Sequence, residues 1–596
     1  MSKLPSREEI DPKYKWKLED IYKNDELWEE DFVRVKQLLK EAENFRGSIN
    51  SAEKLAGILK LKDQIGQMVD KLFSYARMRR DEDNARPKYQ ALADRALGLS
   101  VQVSSVLSFV EPEILALPKA TLADFLNERE DLKVYGHYLD DLMRMKDHIL
   151  DPEREKMLAE AGELAEAPGD IFRMLDNADI KFPSVKDDDG NEVELTKGRY
   201  IKFMESRNRK IRKSAFEALY STYKGFINTL AATTSANVKR DIFYKNQRKF
   251  KSSLEMSLFA DNVPLEVYDS LIDAVHSRLD LMYKYIRLRK KALGLDELHM
   301  YDLYVPLVKD YDKKVSYEEA QEMVIEGLSP MGAEYIDILK QGFESGWIDV
   351  YENRGKTGGA YSWGCYGVHP YVLLNFQGRL DDVFTIAHEM GHSIHTYYSF
   401  TRQPYIYAQY PIILAEVAST CNEAILINYL MERAKNKDEK MYLLNHFMEQ
   451  FRATVYRQVM FAEFEKITHE MAEKGEPLNA EILNKVYHDL NEKYYGKDIV
   501  VDEYIDYEWA RIPHFYTSFY VYKYATGFSA AVAISQKILT EGPEAVKKYT
   551  EFLSGGSSDY PLELLKKVGV DLTSPKPVAD ALQIFEKLLD EYESLM

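Results

Sequence analysis

The stretch HEMGHSIH, His388 to His395, decides how the chain reads. Residues four apart on a helix lie one above the other, so His388 and His392 present two imidazoles to one metal ion, with Glu389 at the edge of that face. Zinc suits such a site, because imidazole and carboxylate are good ligands for it and three protein ligands leave a fourth position for water. Glu389 is then placed to take the proton of that water as it attacks a peptide carbonyl. A helix with two ordinary surface histidines would show the same letters, so the third ligand decides.

A third His ten residues after the first is excluded, because that position is Tyr398, and His395 is at the wrong spacing. A carboxylate must come from elsewhere. Beyond a tyrosine-rich loop, Tyr397 to Tyr410, Pro411 can open a helix that reads PIILAEVASTCNEAILINYL. Its early acid, Glu416, is embedded among apolar residues, where a carboxylate is rarely placed unless it is paired or ligates a metal. Glu423 follows on the same face. These residues are expected as the third ligand and as an acceptor for an imidazole N–H, respectively.

HEMGHSIH followed by ILAEVASTCNEA resembles the thimet oligopeptidase superfamily of zinc peptidases, and most of all its bacterial oligoendopeptidase F branch. The likeness extends over nearly the whole chain. It includes WKLEDIY at Trp16–Tyr22, GAYSWG and HPYVLLNF between Gly359 and Phe376, and IPHFYTSFYVYKYATGFSAA at Ile512–Ala531. The resemblance implies His388, His392 and Glu416 as ligands of one Zn2+ per chain and Glu389 as catalytic base. It also implies a sheet edge beside the zinc that pairs with extended peptides, and a His and Tyr set in the last stretch that meets the substrate and its oxyanion. Within that set His514 and Tyr524 come first, then Tyr516 and Tyr522, because a phenol or imidazole N–H can stabilise the charge that builds on the carbonyl oxygen.

The 596 residues contain no linker or low-complexity tract, and 45% hydrophobic residues are ample for a large core. With 42 Tyr, a polar-tipped aromatic interior is expected. A net charge of −19 argues against a general affinity for nucleic acid or an anionic membrane. Two cysteines, Cys365 and Cys421, exclude a disulfide framework and fit a reducing compartment. The amino terminus lacks an apolar signal core, and no apolar run of membrane-spanning length is evident, so a cytoplasmic protein is the default.

From Asp31 to about Arg154, apolar residues recur at threes and fours, as in antiparallel helical hairpins. IKFPSVKDDDGNEVELT, Ile180–Thr196, alternates about an Asp-Gly-Asn turn and predicts a β-hairpin. An EF-hand there fails, because Val185 falls on the first ligand position. The basic runs RNRKIRK (Arg207–Lys213) and KNQRKFK (Lys245–Lys251) read as solvated helix faces rather than nucleic-acid sites. Trp347–Tyr351 and Ala360–Phe376 are strand-like; the intervening GKT lacks the glycine of a phosphate-binding loop, since that position is Val350. A small antiparallel sheet beside the zinc helix is expected here, with Gly358–Gly364 as its edge and Gly359, Ala360 and Tyr361 as peptide-binding positions. Long helices follow over Lys440–Glu473 and Asn479–Tyr495. His137, His148, His446 and His488 lack partners at ligand spacing, and His469-Glu470 is followed by Glu473 where a second zinc motif would need His.

The fold expected is a mainly α, large helical zincin enclosing a deep substrate groove. An N-terminal helical wall domain spans about 1–180, and the region 181–596 contains a catalytic core at about 340–596. The function expected is zinc-dependent endopeptidase action on short unfolded oligopeptides; oligomeric state stays open. Two alternatives are a carboxypeptidase, for which Arg402 or Arg511 could hold a terminal carboxylate, and a non-catalytic peptide-binding scaffold with structural zinc. The intact Glu389 speaks against the last, since a purely structural site needs no base.

Overall fold

The structure, a computed structural model, describes residues 4–308 and 314–596. It is mainly α-helical with two small sheets, as expected. Contacts divide the chain into two units that are discontinuous in sequence. One comprises residues 1–147, 312–429 and 534–569, and the other 148–311, 430–533 and 570–596. This differs from a single boundary near residue 180, because the chain passes between the units five times.

In the first unit, helices Asp25–Glu43 and Ala52–Glu82 start where Asn24 and Ser51 accept hydrogen bonds from the amides of Leu27 and Lys54. Pro87 occupies the first position of the third helix, Pro87–Leu107, where its missing N–H is not needed. Their apolar faces, including Trp28, Val35, Leu55, Ile58 and Leu99, form one core with Tyr371 and Leu373. The helical hairpins thus pack on the strand that leads to the metal helix. The segment 87–116 is long and apolar enough, by length and composition alone, to cross a membrane, with a mean hydropathy of 1.2 over 18 residues. It is not a continuous apolar run: Lys88, Asp94 and Arg95 fall within it.

The larger sheet has three strands, β3 (Ile348–Asp349), β4 (Tyr361–Trp363) and β5 (Tyr371–Leu373), in the order β3-β5-β4. β4 is an edge strand, as expected, and pairs antiparallel with β5. The expectation of a wholly antiparallel sheet needs correction, because β3 pairs parallel with β5. The loop over 350–360 is long enough to carry the chain past β5 to its far side, which a tight hairpin could not do. β3 is anchored from the amino terminus: Arg7 pairs with Asp349 and Glu82, and Trp16 Nε1 donates to Glu82 Oε1 at 2.8 Å. Lys356 Nζ lies 2.7 Å from Asp349 Oδ1, which balances a buried carboxylate.

The second unit carries the expected hairpin, β1 (Ser184–Lys186) and β2 (Glu192–Glu194). Asp187 Oδ1 accepts from the amides of Asp189 and Asn191, and Gly190 takes φ +84° in the turn. Its helices surround buried ion pairs: Glu508 accepts from Arg457 at 2.8 and 3.0 Å and from Arg511 at 2.7 Å. The basic runs are also partly committed to internal pairs. Arg212 Nη2 lies 2.6 Å from Asp302 Oδ1, and Arg248 Nη2 lies 2.8 Å from Glu155 Oε2.

Candidate metal centre

The helix Leu380–Arg402 carries both histidines, and the helix Ile412–Glu432, which begins just after Pro411, carries the two acids. Gly391 sets how close these helices come. A Cβ built there would lie 2.7 Å from Ser419 Cα and 2.8 Å from the Ala418 carbonyl oxygen. Asn422 locks the pair by donating to the Ala387 carbonyl at 2.9 Å while accepting from Tyr335 at 2.7 Å. One ligand atom each from His388, His392 and Glu416 then falls within 4.8 Å of the others.

Glu416 Oε2 lies 3.6 Å from His388 Nε2 and 3.8 Å from His392 Nε2. Ligands about 2.0–2.1 Å from a tetrahedral zinc ion would be roughly 3.4 Å apart, so the donor set fits zinc in chemistry and nearly in spacing. Glu423 Oε1 is 2.5 Å from His388 Nδ1, which directs that N–H to the carboxylate and leaves the Nε2 lone pair for a metal.

Burial pushes the Glu389 carboxyl up to about 7, with His388 pulling against it and Glu416 and Glu423 reinforcing it. Burial lowers the His388 pKa, but the Glu423 hydrogen bond and the charges of Glu423, Glu389 and Glu416 together raise it to about 9. Burial and the neighbouring His388 lower His392 to about 4. His395 faces away: it is buried with its ring stacked 3.7 Å from that of Tyr410, so it is not a ligand.

β4 lies beside the metal helix. Ser362 Oγ is 2.8 Å from Ser393 Oγ of the metal helix, and the Ser362 backbone draws the Glu389 pKa down against the effect of burial. No sequence signal singled out Ser362. Of the expected peptide-binding positions, Gly359 takes φ +82° with open space where a Cβ would be, and Asn375 Nδ2 donates to its carbonyl at 2.7 Å. Tyr361 turns its hydroxyl inward to donate to Asp81 Oδ2 at 2.8 Å.

His514, Tyr516, Tyr522 and Tyr524 belong to the other unit. There Tyr524 Oη lies 3.4 Å from His514 Nε2, and the Tyr520 ring stacks on His514 at 6.1 Å. Tyr516 and Tyr522 stand apart from this cluster. Tyr516 stacks on Phe172 and its hydroxyl meets Thr233 Oγ1 at 2.7 Å, while Tyr522 is 1% exposed with its ring against Tyr268. Within this unit both rings are packed against neighbouring side chains. Partners that the sequence did not reveal hold this stretch. Asn237 Nδ2 donates to the Phe515 carbonyl at 3.1 Å, Ser518 Oγ to Asp241 Oδ2 at 2.5 Å, and the Phe519 amide to Glu465 Oε1 at 2.8 Å.

Comparison with known proteins gives the family. The model of Peptidase family M3 matches residues 202–584, and that of Oligopeptidase F matches residues 113–182. Oligopeptidase PepF of Bacillus subtilis is 48% identical over 596 residues, covering 100% of this chain and 89% of the relative. A plasmid-borne oligoendopeptidase F of Lactococcus lactis subsp. cremoris is 44% identical, covering 99% and 98%. The crystal structure of oligoendopeptidase-F from Enterococcus faecium is 38% identical, covers 96% of this chain and 99% of that one, and has a TM-score of 0.75. A crystal structure from Chlamydophila abortus is 36% identical over the whole of both chains, with a TM-score of 0.93. The chain is therefore a peptidase of the metallopeptidase family M3, and it belongs to the oligoendopeptidase F branch of that family.

Proposed function

We propose that the chain is a zinc-dependent endopeptidase that hydrolyses internal bonds of short, unfolded oligopeptides in the cytoplasm. The observation that carries this reading is the meeting of His388, His392 and Glu416 within 4.8 Å beside the buried Glu389. Those three would hold the ion, and zinc bound there supplies the Lewis acidity that acidifies water and polarises a carbonyl. Glu389 takes a proton from the attacking water and passes it to the departing amine. Glu423 keeps the His388 ring in one tautomer and orientation. The main chain of Gly359, Ala360 and Tyr361 pairs with an extended peptide and so reads its backbone rather than one side-chain sequence. His514 and Tyr524, joined by Tyr520, keep the role toward the carbonyl oxygen that the resemblance assigns to this stretch.

Carboxypeptidase action would need a cation to hold the terminal carboxylate. Arg511 is already bound to Glu508 at 2.7 Å, and Arg402 lies 3.3 Å from Glu334, which favours the endopeptidase reading. Mass-spectrometric mapping of products from one peptide, with both ends blocked or both free, tests it. Internal fragments from both forms are expected; stepwise loss of terminal residues from the free form alone would reverse the assignment.

A further inference from the structure

A cavity of about 390 Å3 lies between the start of β4 and the first turns of the metal helix. Leu374, Phe376 and Ile386 line it and are themselves buried. Thr385 and Ala360 form opposite walls, and Gly359 leaves open space where a Cβ would sit. The polar groups around it are largely engaged. Asn375 Nδ2 donates to the carbonyls of Thr357 at 3.0 Å and Gly359 at 2.7 Å, while its Oδ1 is buried without a hydrogen-bond partner among the described residues and is the one acceptor of this side chain left over. Asp382 Oδ2 accepts from the amides of Gln377 at 3.0 Å and Arg379 at 2.8 Å, and Thr385 Oγ1 donates to the Asp381 carbonyl at 3.1 Å. A polar guest would give up water without finding many free partners, whereas an apolar guest gains contact at little cost.

Position ties the cavity to the chemistry. Thr385 precedes His388 by three residues and Glu389 by four, so all three share one helix face, and Thr385 lies about 4.5 Å along the axis from His388. Ala360 precedes Ser362 by two, and so lies on the side of the strand from which the Ser362 hydroxyl meets Ser393 of the metal helix. A peptide laid along β4 advances about 3.3–3.4 Å per residue. We infer that this cavity is a substrate subsite that receives an apolar side chain one or two residues from the scissile bond. This inference rests on the endopeptidase reading and adds a side-chain preference to it.

The test uses internally quenched, end-blocked peptides in which one of the two positions on either side of the cleaved bond carries Ala, Leu, Phe, Lys or Glu. The full-length zinc-loaded protein is expected to favour Leu or Phe over Ala about 10- to 100-fold in kcat/KM at one position. Thr385→Trp fills the cavity from the helix, and Ala360→Leu fills it from the strand. Each is expected to reduce that ratio to within about threefold. Equilibrium binding of the same peptides to Glu389→Gln protein, with and without each filling substitution, should show the same loss. A preference that survives in either folded filling variant overturns the subsite, as does equal use of all side chains or a preference for Lys or Glu at every position. If no blocked peptide is cleaved, the endopeptidase reading fails, and the binding series alone decides the subsite.

Discussion

Gly391 has no room for a side chain, because the backbone of Ser419 already lies where its Cβ would be. Gly391→Ala is expected to push the two metal-binding helices apart, costing about 1–3 kcal/mol of stability and weakening metal binding. Urea unfolding and a zinc titration measure both, and a variant unchanged in either would show that the helices have slack. Glu423 acts on the site differently, by holding the Nδ1 side of His388. Glu423→Ala should weaken metal affinity about 10- to 100-fold, read by competition with a chromophoric chelator, while the fold persists. The two histidines and Glu389 were legible because helical spacing alone puts them on one face. Glu416 needed the extra argument that a carboxylate among apolar residues requires a partner. The contact of Ser362 with Ser393 on the metal helix was illegible, since a serine in an edge strand carries no signal of what its hydroxyl will meet.

At the scale of elements, the stretch around His514 is held in an uncommon shape. Phe519 takes φ +60°, which costs a bulky residue of order 1–3 kcal/mol and persists only where neighbours enforce it. Glu465 is one such neighbour, and burial raises its carboxyl well above the ordinary carboxylate range. The folded state therefore keeps a proton that the unfolded state releases above about pH 4.5. That contribution to stability is complete below the unfolded pKa and is lost as pH rises through the folded one. Glu465→Gln, which still accepts the Phe519 amide, is expected to be at least as stable as the wild type at pH 8 and to flatten the pH dependence. Glu465→Ala leaves that amide unpaired and should cost about 1–3 kcal/mol. Denaturant titrations across pH check all three proteins, and a Gln variant destabilised like the Ala variant would contradict the assignment. The roles of the tyrosines could not be separated in sequence: Tyr516 and Tyr522 read like Tyr520 and Tyr524 until packing buries the first pair's rings or engages their hydroxyls. The sheet was legible as strands with a glycine-flanked edge, but alternation carries no direction, so the parallel pairing of β3 was not.

For the whole molecule, helical class followed from periodicity that is local, whereas the division into units did not, because it depends on contacts between segments hundreds of residues apart. The metal links the site to overall stability. Zinc in hundredfold excess over its dissociation constant adds about 2.7 kcal/mol to the state that binds it. Chelation should therefore lower the first calorimetric transition, and zinc should restore it; identical scans would place the metal outside the folded structure. The most direct measurement is hydrolysis of an internally quenched peptide, blocked at both ends, by the wild type and Glu389→Gln, with bound zinc quantified in each. Zinc retained near one per chain in both, with kcat/KM reduced by about three orders of magnitude or more in the variant, is the expected result. Two zinc-loaded proteins that cleave at similar rates, or that both leave blocked and free-ended peptides intact, would contradict it.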